Sequence, residues 1–262
     1  MKSPPVSGNY VEFENVTKTF GNVPVIQETS LVIAPNSLVV FLGPSGCGKT
    51  TLMRMVGGLD KPTSGTIRIK GEPVTEPGRR TGMVFQSYSS FPWLTVAGNI
   101  AFGMRYRKDL SQEQRTERVN HYLRLIGLED FADSYPNRIS GGMRQRVAIA
   151  RSLAAGPDVL LMDEPFGALD ALTREKLQVE LRQIQAREMK TIIFVTHDVE
   201  EAVFLADRIV MLSSRPASIV ADIDVAGVLG GSRPLAIRES EIFFKLRNEV
   251  LRLVRHEAGD AK

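Results

Sequence analysis

The chain has 262 residues and a formal net charge of +3, from 33 lysines and arginines against 30 aspartates and glutamates. This balance is too mild to indicate a nucleic-acid-binding protein, and no apolar run reaches the ~18 residues that a membrane-spanning helix requires. The single cysteine, Cys47, excludes an intrachain disulfide and favours a reducing compartment, the cytoplasm. Residues 1–9 lack the apolar segment of a secretory signal peptide, so we do not expect export by that route.

The first regular pattern of the chain predicts an edge-like strand. Residues 10–13 alternate, and residues 16–20 lead into the turn signal Gly21-Asn22. Phe20 stands beside this turn. It is either a core residue or a stacking platform for a nucleotide base, because stacking needs only an aromatic face.

The strongest motif follows the apolar run at residues 38–42. It has the spacing G-x-x-x-x-G-K-T and leads into a predicted helix. Its glycines let the backbone wrap closely, so that successive N–H groups and the helix N-terminus point at one polyphosphate. We expect Lys49 to reach the outer phosphates, the Thr50 hydroxyl to ligate Mg²⁺ and Thr51 to donate to the inner phosphate. The predicted nucleotide-binding loop consists of Gly43, Pro44, Ser45, Gly46, Cys47, Gly48, Lys49, Thr50 and Thr51.

Two further strand patterns follow this loop. Residues 66–71 alternate and stop at a glycine, and residues 81–86 form a short apolar strand that ends on the amide of Gln86. Gln86 is placed to reach the metal or its water, although a glutamine after a strand is usually solvated. Both interpretations stay open on the residues alone.

Helical patterns replace strand patterns over residues 87–154. Residues 111–114 have a capping-box pattern at the start of an amphipathic helix. Later in the insert, Ser140, Gly141 and Gly142 precede another helix. These three residues suit a second phosphate contact at a helix N-terminus, and they suit an ordinary N-cap equally well.

A buried-strand run over residues 158–162 ends in two adjacent carboxylates, Asp163 and Glu164. Adjacent residues at a strand end point in different directions. Asp163 can therefore face the Mg²⁺ shell, while Glu164 faces the attacking water as a general base. Asp170 follows in the next loop, where it either caps the following helix or reaches a partner chain.

Another buried strand, at residues 191–196, delivers His197 at its end, where parallel α/β sheets present their ligands. We interpret His197 as a γ-phosphate contact, because the companion motifs outweigh the usual interpretation of a buried or capping histidine. Residues 208–212 predict the next strand, after which we expect the core to be complete. The rest predicts a strand and a basic amphipathic helix, docked on the body or, as the lesser alternative, lying on a membrane surface.

Taken together, the glycine loop and the later motifs closely resemble the ATP-binding subunit of ABC transporters, over almost the whole chain. Met143 stands where many relatives carry glutamine, but the preceding serine and glycines are intact. The resemblance implies that the glycine loop is the Walker A motif. The other implied roles are the Q-loop for Gln86, the signature for Ser140-Gly141-Gly142, Walker B and the catalytic glutamate for Asp163 and Glu164, the D-loop for Asp170, the switch histidine for His197 and adenine stacking for Phe20.

A narrower likeness is carried by residues 79–86, 91–96, 141–146 and 196–202, which look like the nitrate, sulfonate and taurine importer branch. This resemblance implies an ATPase that uses ATP and Mg²⁺ to energise a membrane importer for a small anion such as nitrate, sulfonate, taurine or bicarbonate. It also implies transmembrane permease subunits, a second copy of the chain and an extracytoplasmic solute-binding protein as partners, with no nucleic acid. The expected location is the cytoplasmic face of the inner (plasma) membrane, as a peripheral subunit.

The expected fold class is α/β. The resemblance implies a P-loop NTPase core with a mainly parallel sheet, an N-terminal antiparallel β part and an inserted helical subdomain. We assign residues 1–86 and 155–215 to the nucleotide-binding core, residues 87–154 to the helical subdomain with the signature, and residues 216–262 to a C-terminal extension with one strand and one amphipathic helix.

Other classes of function remain to be weighed. A soluble ABC-type ATPase that acts on nucleic acid or ribosomes would favour tandem cassettes or long coiled-coil inserts, and the sequence has neither. A GTPase requires the guanine-reading pattern Asn-Lys-x-Asp, which is also missing. A small-molecule kinase would not explain Ser140-Gly141-Gly142 together with His197.

One aromatic segment carries a separate alternative. Residues 87–94 include Phe91 and the only tryptophan, Trp93, directly after Gln86. The segment either packs into the local core or forms a groove for a short cytoplasmic helix of the permease.

Overall fold

The computed structural model describes residues 10–85 and 90–257. Within these residues the chain forms ten β-strands and eight α-helices, with three short 3-10 turns. The strands are β1 (Val11–Phe20), β2 (Val23–Ile33), β3 (Leu38–Leu42), β4 (Ser64–Ile69), β5 (Glu72–Pro73), β6 (Thr81–Val84), β7 (Val159–Asp163), β8 (Thr191–Thr196), β9 (Arg208–Leu212) and β10 (Ile219–Asp224). The helices are α1 (Lys49–Val56), α2 (Val96–Gly103), α3 (Gln112–Leu125), α4 (Gly141–Ala154), α5 (Ala171–Glu188), α6 (Val199–Leu205), α7 (Val225–Leu229) and α8 (Glu241–Glu257).

The strands form two sheets. The larger has six strands in the order β10-β9-β3-β8-β7-β6, with every pair from β9 to β6 parallel and β10 antiparallel at one edge. The smaller is an antiparallel sheet of four strands in the order β2-β1-β4-β5. The mainly parallel core sheet and the antiparallel N-terminal part are therefore confirmed.

The two central strands of the large sheet, β3 and β8, are buried at every residue. Strands covered on both faces lose the polar alternation of a half-exposed strand, which explains their continuous apolar sequences. One face of the sheet packs against α1 and the small sheet through residues such as Phe41 and Met53, and the other packs against the remaining helices through residues such as Val40 and Leu42. Because β3, β7 and β8 are parallel, their carboxyl ends meet at one edge of the sheet.

The helical region of α2, α3 and α4 is tied closely to the large sheet. Ser111 and Gln114 make both hydrogen bonds of the predicted capping box, and α3 ends just before Gly127. Helix α4 returns to the sheet, where the Ser152 hydroxyl donates to the carbonyl oxygen of Met83 at 3.1 Å. The apolar side chains of all three helices belong to the same buried cluster as one face of the sheet.

The C-terminal part of the chain continues the core. Strand β10 pairs with β9, so the large sheet extends past residue 215 rather than ending at β9 as we expected. Helix α8 buries Phe243, Leu246 and Val250, and Arg247 lies 3.8 Å from a carboxylate oxygen of Glu200 in α6. Helix α8 is therefore docked on the body. Among the described residues, none of the helices has the length and apolar character to cross a membrane.

Candidate nucleotide-binding site

The predicted phosphate loop lies between β3 and α1, with Gly48 at the N-cap of the helix and no side-chain cap. The ammonium group of Lys49 folds back over the loop and donates to the carbonyl oxygens of Gly43 and Pro44, both at 2.8 Å. Lys49 is buried, and these bonds hold its charge inside the curve of the loop. Helix N-H groups without side-chain partners remain available for an anion.

Two glycines of the loop are required by the space around them. A Cβ at Gly48 would lie 2.6 Å from the Ile26 side chain, and the residue has a φ of +128°. A Cβ at Gly43 would lie 2.6 Å from the carbonyl oxygen of Leu212. The loop therefore packs against β2 on one side and against the end of β9 on the other. Cys47 is 1% exposed, so only its backbone faces a ligand.

Thr50 and Asp163 meet across the site. The Thr50 hydroxyl donates to Asp163 Oδ1 at 3.0 Å, and burial raises the pKa of the Asp163 carboxyl above its ordinary value. A hydroxyl beside a carboxylate fits Mg²⁺, which takes few protein ligands and completes its shell with phosphate and water oxygens. The described residues contain no cluster of three or more His, Cys, Asp or Glu side chains suited to a metal. The third predicted metal contact, Gln86, lies outside the described residues.

The neighbouring carboxylate points elsewhere. Glu164 Oε1 lies 2.9 Å from Nδ1 of His197, and the Glu164 amide donates to the carbonyl oxygen of Val195 at 3.0 Å. Glu164 has a φ of +43°, a left-handed conformation that a non-glycine residue adopts only when its surroundings hold it. The ends of β7 and β8 thus bring Glu164 and His197 together. Glu164 also lines the cavity of about 170 Å³ at the phosphate loop, together with Lys49 and Thr50 among others.

The signature residues form a second group away from this cavity. Ser140 caps α4 by accepting from the Met143 amide at 3.2 Å. Asp170 caps α5 by accepting from the Thr173 amide at 3.0 Å, and these hydrogen bonds lower the pKa of its carboxyl. A Cβ at Gly142 would lie 2.7 Å from the Thr173 side chain, so the starts of α4 and α5 are in contact. Both caps are closed within their own helices.

Phe20 is not a core residue. Its side chain is 48% exposed at the end of β1, and Lys18 Nζ lies 4.5 Å from the centre of its ring. An exposed aromatic face is what base stacking requires. The alternative that Phe20 is a buried core residue is therefore wrong.

Arg215 also lies at the phosphate loop, and no pattern in the sequence predicted this position. Its guanidinium donates to the carbonyl oxygen of Gly46 at 2.9 Å, and its side chain lines the same cavity as Lys49. Arg215 lies in the connection between β9 and β10. A single arginine in a loop is not part of a recognisable sequence motif. The one sequence feature that could have indicated its role is that it follows shortly after β9, whose end lies beside the phosphate loop.

A glycine loop between a parallel strand and a helix, with carboxylates at the end of a strand of the same sheet, defines the class of P-loop nucleotide hydrolases. The ABC transporter family matches residues 26–167, more than half of the chain. The chain belongs to this family, as an ATP-binding subunit that hydrolyses ATP.

Individual relatives agree with this assignment. A putative ATP-binding protein of Brucella abortus is 46% identical over 247 residues, which cover 94% of this chain and 94% of that protein. The nitrate import ATP-binding protein NrtD of Synechocystis sp. is 44% identical over 256 residues, covering 94% of this chain and 95% of that protein. A solved dimeric ATP-binding cassette, bound to ADP and phosphate after hydrolysis, is 34% identical, with a TM-score of 0.69 over 82% of this chain and 98% of that one.

Proposed function

We propose that this chain is the Mg²⁺-dependent ATPase subunit of an importer for a small anion such as nitrate, sulfonate, taurine or bicarbonate. The ATPase activity in this proposal is supported best by the hydrogen bond of 2.9 Å between Glu164 and His197, because Glu164 also lines the cavity at the phosphate loop. This pair places a base and a polar contact where the outer phosphate of a nucleotide and its attacking water would lie. Transport work requires hydrolysis and not binding alone, and this pair supplies the groups for it.

Each neighbouring residue has a separate task in this proposal. Lys49, already held by two loop carbonyls, contributes positive charge to the phosphates. Glu164 takes the proton of the attacking water, and His197 holds the Glu164 carboxylate in position and contacts the outer phosphate. Thr50 and Asp163 would hold Mg²⁺, which neutralises charge that develops on the phosphate oxygens. Phe20 stacks on the adenine, since its ring is exposed.

The site also needs a second copy of the chain. Ser140, Gly141 and Gly142 lie at the start of α4, and Asp170 lies at the start of α5, next to them. In the arrangement that the family implies, this group faces the ATP held by the phosphate loop of a second subunit. Two nucleotides would then join a head-to-tail homodimer.

The membrane partner is proposed to dock at the aromatic segment. Trp93 is 68% exposed, and its ring stacks on Phe91 with the ring centres 5.2 Å apart. Phe91 in turn contacts Phe102 in α2, with ring centres at 4.6 Å. Trp93 is thus a large exposed aromatic side chain supported by two other aromatic rings, and such a side chain could anchor a short helix of a permease subunit. Packing of Trp93 into the local core disagrees with its exposure. Part of this segment, residues 87–89, lies outside the described residues.

The proposal for the anion is supported by relatives, and the proposed solute-binding protein and location rest on the resemblance to the importer branch. The Synechocystis relative is named as a nitrate import protein and is similar over almost the whole chain, which supports an anion importer. An importer of this branch would work with an extracytoplasmic solute-binding protein, and its ATPase would lie at the cytoplasmic face of the membrane. A soluble ATPase that acts on nucleic acid or ribosomes gains no support from these relatives.

The experiment is a measurement of ATP turnover and ATP binding for Glu164→Gln. The amide keeps the size of the side chain and a hydrogen bond to His197, but it cannot accept the proton of the attacking water. We expect turnover to fall roughly 10²- to 10⁴-fold while ATP affinity stays near that of the wild type. Glu249→Gln, which changes an exposed glutamate on α8, serves as the matched control. Near-normal turnover in Glu164→Gln would remove Glu164 as the general base.

A further inference from the structure

The loop between β9 and β10 places Arg215 at the mouth of the phosphate loop. Its Nη2 atom donates to the carbonyl oxygen of Gly46 at 2.9 Å. Its side chain lines the same cavity of about 170 Å³ as Lys49 and Glu164. This loop belongs to none of the sequence motifs of the nucleotide site.

The charge of Arg215 has no acidic partner in the described part of the chain. Among residues 10–85 and 90–257, the Gly46 carbonyl is the one hydrogen-bond acceptor of its guanidinium, and no carboxylate forms an ion pair with it. Glu164, which lines the same cavity, is bonded to His197 instead. A guanidinium carries five N–H donors in a planar fork that matches phosphate oxygens. Most of these donors therefore remain available for an anion.

The backbone that carries Arg215 is held on two sides. Ala217 donates to the carbonyl oxygen of Val25 and accepts from the amide of Gln27, both at 2.8 Å, which ties the loop to β2. The Ser214 hydroxyl donates to the carbonyl oxygen of Glu257 at the end of α8, at 2.8 Å. A residue on a held backbone loses less conformational entropy when it binds a ligand. The backbone at Arg215 is therefore held in place on the side of β2 and on the side of α8.

We propose that Arg215 is a further polyphosphate-binding residue of this nucleotide site. Lys49 supplies positive charge from inside the loop, where it is bonded to Gly43 and Pro44, and Arg215 supplies positive charge from the opposite side, beside Gly46. The ligand is the phosphate chain of a nucleoside di- or triphosphate. The proposal rests on the proposed function, because it requires ATP to bind at this loop.

The test is equilibrium binding of fluorescent ATP, ADP and AMP analogues to the full chain. We expect Arg215→Ala to weaken ATP binding about five- to thirtyfold, the loss typical of one charge-assisted hydrogen bond. The loss should decrease from ATP to ADP to AMP, because the attraction follows the number of negative charges. It should also shrink at high salt, because Arg215 is exposed and its charge is screened.

Two conservative variants distinguish phosphate binding by Arg215 from a purely structural role, in which Arg215 acts only as a brace that supports the Gly46 carbonyl through its hydrogen bond. Arg215→Gln keeps an N–H donor for the Gly46 carbonyl but has no charge, and Arg215→Lys keeps the charge. The proposal expects the glutamine variant to bind ATP nearly as weakly as Arg215→Ala and the lysine variant to bind closer to wild type. Wild-type affinity in Arg215→Gln would overturn the proposal, because a brace alone would then explain the contact.

The matched control is Arg252→Ala. Arg252 is also exposed, and its guanidinium donates to one backbone carbonyl, that of Asn248 at 3.3 Å. We expect this variant to bind ATP like the wild type and to share the melting temperature of the Arg215 variants. ATP binding within twofold of wild type in a folded Arg215→Ala chain would contradict the proposal. Absence of ATP binding in the wild-type chain would instead remove the proposed function itself, and this proposal with it.

Discussion

The phosphate loop and the start of α4 differ in where their functional side chains find partners. At the phosphate loop, the partners come from distant parts of the chain. Thr50 in α1 bonds to Asp163 at the end of β7, and the next residue, Glu164, bonds to His197 at the end of β8. One helix and two strands of the parallel sheet therefore build this group, and each side chain restrains another.

At the start of α4, the partners are local. Ser140 accepts from the amide of Met143 three residues later, and Asp170 accepts from the amide of Thr173 three residues later. These bonds stabilise two helix N-termini by about 1 kcal/mol each and restrain no residue of the phosphate loop. The two helix starts touch each other, but neither contributes a residue to the cavity at Lys49.

We therefore propose that one chain carries a finished half-site at the phosphate loop and an unfinished one at the start of α4. At the phosphate loop, the functional side chains are bonded to one another. In the proposed homodimer, the group at Ser140 would offer helix N–H groups and a hydroxyl to the phosphates that a second copy binds. A second copy of the chain would bring the two halves together, and the predictions below test the halves separately.

The largest effect is expected for Lys49→Ala in the finished half. Lys49 is buried, and its ammonium group is the positive charge inside the loop. Its loss removes the positive charge inside the loop and its remaining charge-assisted hydrogen bond to phosphate, so ATP affinity should fall on the order of a thousandfold. Equilibrium binding measures this change, and Lys245→Ala on the exposed face of α8 is the control. A loss below tenfold would mean that the phosphates lie elsewhere.

This half-site is also the part that the sequence predicted best. The loop from Gly43 to Thr51 is contiguous with its strand and helix, so its spacing alone indicates its shape. Asp163, Glu164 and His197 each follow a buried strand, and parallel strands present such residues at one edge. Their meeting therefore needed only the inference that β7 and β8 are neighbours in a parallel sheet.

The remaining contacts depend on packing between segments that have no shared pattern. Arg215 reaches Gly46 because the β9–β10 loop folds back and Ala217 bonds to β2, and no periodicity predicts that contact. The continuation of the sheet through β10 was missed for a related reason. Its residues alternate as in any half-buried strand, and the partner strand of such a segment is decided by tertiary packing. The exposure of Phe20 and Trp93 likewise depends on which neighbours surround them.

A smaller effect is expected for His197→Ala. The change leaves the phosphate loop intact but frees the Glu164 carboxylate, which is otherwise bonded to His197. Small displacements of a reacting group can cost about a hundredfold in rate, so we expect turnover to fall by about that factor, while ATP affinity falls much less, by the loss of one contact to the outer phosphate. His197→Gln should recover part of the rate, and the exposed His256→Ala should behave as the wild type. A parallel loss of ATP affinity would show that His197 serves binding rather than turnover.

The smallest effect concerns the aromatic segment, which belongs to neither half. Trp93→Ala removes an exposed ring, so the melting temperature of the isolated chain and its basal ATP turnover should stay close to wild type. If Trp93 anchors a permease helix, association with the permease should weaken by about 2 kcal/mol, or roughly thirtyfold. Co-purification and titration with the permease measure this change.

Phe244→Ala is the control for this variant, because Phe244 is also an exposed aromatic, on α8. It should leave permease association unchanged. Wild-type association in Trp93→Ala, or a large drop in its melting temperature, would remove Trp93 as an anchor for the permease.

Completion of the site by a second copy can be tested by the mass of Glu164→Gln in solution with ATP, measured by light scattering. We expect twice the monomer mass with ATP and the monomer mass without it. Adding Ser140→Arg should return the protein to monomer mass while ATP still binds, whereas Ser111→Arg, at the matching N-cap of α3, should leave the dimer intact. A Glu164→Gln chain that binds ATP yet stays at monomer mass, even with the permease present, would contradict the account.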